Sequence, residues 1–145
     1  MLVRLRALIG LGFVVSLASG ACAAKAAAIG TRVTICGSSI TVPQVEPPPG
    51  SGPVVLMAVP CFESRTGGAA SIPRDYQRYV ELKPSRPLDG VWVPYDDNAQ
   101  KAMEADYRRL WGTGKLDDLS ITITDYTFAN GVIGKFVTYT VHESK

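Results

Sequence analysis

The sequence has little metal-binding or redox chemistry to offer: one histidine, three cysteines and no Cys-x-x-Cys pair. A zinc site needs closely spaced cysteine and histidine ligands, and none is present, so no metal is expected. Charged residues make up 19% of the chain and the net charge is +2, with no block of lysine and arginine beyond the first few residues. Nucleic-acid binding requires a concentrated basic face, which excludes that class of partner. Long apolar runs are missing too. The longest, Ala7 to Ala18, is too short to span a bilayer comfortably.

That run has another reading. Two arginines precede it in "MLVRLR", and "ACA", Ala21 to Ala23, follows as an A-x-A cleavage pattern. Positive, apolar, then small is the anatomy of a secretory signal peptide, so residues 1–23 are expected to be removed. An uncleaved N-terminal anchor and a lipoprotein acylated on Cys22 are the alternatives. Ser19 stands where a lipoprotein signal usually has leucine, which makes the second the minority reading. Cleavage after Ala23 leaves Cys36 and Cys61 in a compartment that permits disulfides. A bridge between them is favoured over two buried thiols, because the region around them has little else to hold it.

Residues 24–75 read as a proline- and glycine-rich spacer with short β segments. "RVTICGSSITVP", Arg32 to Pro43, has the pattern of a hairpin turning around Gly37-Ser38-Ser39. Val42 to Pro53 is dense in proline, which fixes φ and removes donors, so it reads as a polyproline-type spacer. "VVLMAVPCFE" fits one apolar strand. Ser64 to Asp75 is flexible by composition.

Residues 76–145 look like the folded domain. Tyr76 to Lys83 alternates, with Tyr76, Arg78, Val80 and Leu82 on one side. "DDNAQKAMEADYRRLWGTG" is the clearest helix: Asp96 or Asp97 suits its N-terminus, and Asp97 with Gln100 approximates a capping box. Ala99, Met103, Leu110 and Trp111 fall near one face, flanked by Ala102 and Tyr107. Glu104 and Arg108 form a favourable i,i+4 pair on another. Gly112 and Gly114 supply the stop. "LDDLSITITDYTFANGVIGKFVTYTVHE" then reads as a β-hairpin turning at Asn130-Gly131. Leu119, Ile121 and Ile123 face the helix together with Val137, Tyr139 and Val141. Ser120, Thr122 and Thr124 face water, and Phe136, Thr138, Thr140 and His142 share their side. The expected fold class is α+β, a two-layer sandwich in which a small sheet is covered on one face by helix, with an irregular N-terminal segment.

The stretch "ADYRRLWGTGKLDDLSITITDYTFANGVIGKFVTYTVHE", Ala105 to Glu143, resembles the second half of a POTRA (polypeptide-transport-associated) domain. The likeness rests on a helix ending in leucine and an aromatic, the "TG" and "LDD" that follow, the turn, and the closing "VHE". From Tyr79 onward the chain is similar to the first POTRA domain of BamA-like outer-membrane assembly factors. POTRA domains usually run β-α-α-β-β, and here the first helix looks shortened. The resemblance implies a periplasmic module that binds unfolded outer-membrane proteins or assembly-machine subunits by adding a strand at a sheet edge. It also implies localisation at the periplasm or outer membrane of a diderm bacterium. Membrane association would then be indirect or through a barrel missing from this chain. The candidate binding edge is Ser120, Thr122 and Thr124, where backbone bonds give affinity without selecting sequence. The plainer reading is that threonine-rich alternation is only a solvated sheet face.

The remaining motifs argue against an enzyme. Asp117 and Asp118 are adjacent, so their side chains diverge and do not share a proton. His142 has no nucleophile or carboxylate partner near it in sequence. Gly112-x-Gly114 leads into a strand with no following Lys-Ser/Thr, unlike a phosphate loop. Trp92 and Trp111 read as core or core-edge. No catalytic residue and no cofactor is expected. The alternative function is a small secreted or lipid-anchored structural domain of the envelope.

Overall fold

The computed structural model describes residues 30–63 and 72–144. The predicted signal peptide, Cys22 and most of Ser64 to Asp75 lie outside the described residues. Strands β1 (Thr31–Ile35) and β2 (Ser38–Val42) form an antiparallel hairpin. Strand β3 (Val54–Phe62) follows, then a short helix α1 (Arg74–Gln77), a single 3-10 turn (Pro87–Asp89) and the long helix α2 (Asp97–Trp111). Strands β4 (Leu116–Thr127) and β5 (Ile133–Glu143) complete the chain. The result is the expected α+β sandwich, built on a three-stranded sheet of order β3-β5-β4.

β5 is the central strand, parallel to β3 and antiparallel to β4. Its alternation splits the core in two. Val137, Tyr139 and Val141 point to the helix side, with Val55 and Ala58 of β3 and Leu116 and Leu119 of β4. There they meet Ala99, Met103 and Leu110 of α2, and Tyr76 and Leu82 from the connection. Phe136 points the other way, into a second cluster with Val54, Phe128, Val132 and the hairpin residues Ile35 and Val42. The face that the sequence assigned to water is thus capped at one end by the β1–β2 hairpin. At Gly134 a Cβ would stand 2.3 Å from a Leu56 methyl and 3.2 Å from the Phe128 ring, so only glycine lets these close over the central strand.

The hairpin turns at Cys36-Gly37, earlier than predicted, with φ of 53° and 69°. Positive φ at both positions is the two-residue turn whose twist matches paired strands. Cys36 adopts it despite its Cβ and is bridged to Cys61 near the end of β3, with Cα atoms 5.6 Å apart. The proline-dense stretch is fastened to the domain as well. Pro47 is fully buried, and its carbonyl accepts a hydrogen bond of 2.7 Å from the Asn130 side chain in the β4–β5 turn.

Local chemistry explains α2. Asp96 is the N-cap, and its Oδ1 accepts from the amides of Asn98 (2.9 Å) and Ala99 (3.1 Å). That places Asp97 in the first turn, and the box drawn between Asp97 and Gln100 does not form. Gly114 at φ 67° ends the turn into β4. The alternating segment Tyr76 to Lys83 is not a strand. It begins inside α1 and continues as irregular backbone, with Tyr76 and Leu82 buried and Arg78 exposed. Trp111 is 48% exposed rather than core, stacked on Tyr107 at 6.4 Å. Trp92 sits against the second cluster, edge-on to Phe128.

Candidate functional site

β4 occupies one rim of the sheet, and among the described residues it pairs with β5 alone. Ser120, Thr122 and Thr124, each exposed, stand opposite Thr140, Thr138 and Phe136. On the helix side burial decays along the strand. Leu119 is buried, Ile121 half-buried and Ile123 39% exposed, as β4 runs out from under α2. The run Ser120-Ile121-Thr122-Ile123-Thr124 carries no charge, proline or glycine and is mostly β-branched, the composition that favours pairing. Charges bracket it. Asp118 accepts from the Leu119 amide at 2.9 Å, and Asp125 pairs with Lys135 at 2.7 Å. The Lys135 ammonium also lies 5.6 Å from the centroid of the Tyr95 ring.

The opposite rim is closed by several devices. The Val55 amide donates to the Val93 carbonyl, the Ser85 amide to the Val55 carbonyl, and the Tyr95 amide to the Pro53 carbonyl, each at 2.7–2.8 Å. The Gln77 side chain reaches the Ala58 carbonyl at 3.5 Å. Pro60 has no N–H to offer, which an edge strand tolerates.

Beneath the helix lies a polar hub that sequence reasoning missed. Asp106 is fully buried and accepts from the amides of Glu81 (2.8 Å) and Leu82 (3.0 Å), from the Tyr139 hydroxyl (2.9 Å) and from the Arg109 guanidinium. Arg109 donates in turn to the Tyr79 carbonyl at 3.1 Å and pairs with Glu81 at 3.3 Å. One carboxylate thereby ties the α1–α2 connection, α2 and the central strand together. Burial, and then the Asp106 charge and hydrogen bond, push the Tyr139 phenol well above its usual range. With Asp106 and Tyr139 fully buried and every partner structural, this cluster is a clamp. A signal for it was present: Asp106 falls three residues after Met103 and four before Leu110, on the apolar stripe itself.

Tyr76 donates to Glu143 at 2.7 Å, and burial, reinforced by that carboxylate, pushes its phenol up to about 12. Asp117 and Asp118 are exposed at a bulge where β4 begins. His142, expected in solvent, is half-buried, with Nδ1 covered and lacking a hydrogen-bond partner. Among the described residues no cluster of histidine, cysteine and carboxylates could hold a metal, and no helix is long and apolar enough to cross a membrane. No family model, curated protein or solved structure matches the chain.

Proposed function

We propose that this protein is a non-enzymatic, exported binding module of the POTRA type, which holds unfolded outer-membrane proteins or subunits of their assembly machine by adding their strands to β4. The observation that carries the reading is the contrast of rims: β3 is covered and proline-blunted, while β4 keeps an uncharged, β-branched edge. Natural sheets usually guard such an edge with lysine, proline or a covering element. Strand addition uses backbone bonds for affinity and tolerates many sequences, which suits a broad clientele. The order β3-α1-α2-β4-β5, with a first helix of a single turn, supports the resemblance drawn from "LWGTGKLDDL" and "VHE". The Cys36–Cys61 bridge supports an oxidising compartment, and so export.

The test is amide chemical-shift mapping during titration with a synthetic peptide of alternating outer-membrane-strand sequence. Shifts concentrated along Leu119–Asp125 are expected. Shifts scattered over the surface, or confined to the β3 side, overturn the proposal.

A further inference from the structure

We infer that β4 also pairs with β4 of a second copy of this chain, antiparallel about a two-fold axis through Thr122, so that the open rim is masked by self-association. The inference shares its edge with the client-binding reading and adds a regulation to it.

The argument is one of register. A two-fold axis perpendicular to a sheet sets antiparallel edge strands against each other and keeps the helix face of one copy on the side of the helix face of the other. Facing residues must then have the same parity along β4, which leaves few alignments within the uncharged run. Centring on Thr122 places Ile121 opposite the partner copy's Ile123, and Ile123 opposite its Ile121. The large apolar side chain that β4 leaves 39% exposed is thereby covered by one that is already half-buried. On the other face Ser120 meets Thr124, and Thr122 meets its own copy, giving hydroxyl and β-branched contacts. Asp118 faces Tyr126, and Asp125 faces Leu119 beside its own Lys135 partner, so no carboxylate faces another. Moving the axis to Ile121 sets Asp117 against Asp125, a like-charge pair directly opposite, which destabilises a ladder. Moving it to Ile123 sets Ile121 against Asp125 and Asp118 against Phe128. The near-palindrome "SITIT" and its flanking aspartates therefore select one register and one partner, a second copy of the same strand.

The test uses the full chain with single cysteines added on β4, oxidised gently and run on non-reducing gels. Directly opposed Cβ atoms in such a ladder are about 4.5–5.5 Å apart, within reach of a disulfide. Thr122→Cys alone is expected to give a covalent dimer. Ser120→Cys alone and Thr124→Cys alone should not, but a mixture of those two variants should. Analytical ultracentrifugation of the unmodified protein should show a concentration-dependent dimer. Ile123→Lys should shift it to monomer, with the far-ultraviolet spectrum unchanged. A monomer at every concentration overturns the inference, as does equal cross-linking at 120, 122 and 124. A monomer whose β4 amides still respond to the strand peptide overturns self-pairing alone and leaves the client reading standing. Cross-linking confined to residue 122, together with an unmodified dimer that no strand peptide dissociates, upholds self-pairing and counts against the client reading.

Discussion

The two rims of the sheet are built to opposite specifications. β3 lies under the 85–95 segment at its start, is touched by Gln77 in its middle, carries Pro60, and is bridged through Cys61 to the hairpin turn. β4 is longer, Leu116–Thr127 against Val54–Phe62, and among the described residues its central stretch has none of these. The difference does not come from β-propensity alone, since both strands carry β-branched residues. It comes from what the intervening chain does. The β3–β4 connection is spent on covering β3, and a carboxylate inside α2 pins that connection in place. Closing one edge in this way prevents the sheet from polymerising from both sides.

Breaking the clamp has the largest expected effect. Asp106→Ala leaves the amides of Glu81 and Leu82, the Tyr139 hydroxyl and Arg109 without their shared acceptor. Removing one member of a buried charged network costs about 3–5 kcal/mol, so urea unfolding should move to much lower denaturant or the folded signal should vanish. Next comes the bridge. Replacing Cys36 and Cys61 by serine opens a loop with a sequence separation of 25 residues. This should cost about 3 kcal/mol and raise binding of an apolar dye to the Phe136 side of the sheet, checked by denaturation and dye fluorescence.

A smaller effect is expected at Tyr76. Its phenol is held up to about 12 in the folded protein against about 10 unfolded. The folded state therefore keeps its proton longer, and the stabilising contribution is complete below pH 10 and lost as pH climbs from 10 towards 12. Tyr76→Phe should cost about 1 kcal/mol at neutral pH, from the bond to Glu143, and flatten the fall in stability over that alkaline window. The smallest effect belongs to the open rim. Thr122→Val should change stability by no more than about 0.5 kcal/mol, because its side chain is exposed. In dilute, monomeric protein, hydrogen exchange should show the Val55 amide protected by Val93, while the β4 amides turned away from β5 exchange quickly.

Periodicity made one half of this architecture readable. α2 repeats its apolar residues at helical spacing, and β4 and β5 alternate around Asn130-Gly131, so each could be placed from local pattern alone. Tyr76 to Lys83 shows where that method fails. Its alternation imitates a strand, yet the amides of Glu81 and Leu82 go to a side-chain carboxylate and not to a ladder. The same blindness hid Asp106, because a charged residue on a helix is ordinarily placed in solvent. Nor does any local signal announce that β3, beyond a proline-dense stretch, crosses to lie parallel to the last strand of the chain. That pairing depends on partners far apart in sequence. Ser120, Thr122 and Thr124 were placed on an exposed alternating strand by pattern, but its position at the rim is a property of strand order, which alternation does not encode.

The Cys36–Cys61 bridge has a consequence for how the molecule withstands attack. It closes a covalent ring around Val42 to Pro53, so a protease that nicks the backbone there leaves the hairpin and the rest of the chain joined as one molecule. Cleaved protein would migrate intact until a thiol reductant separates it into two fragments.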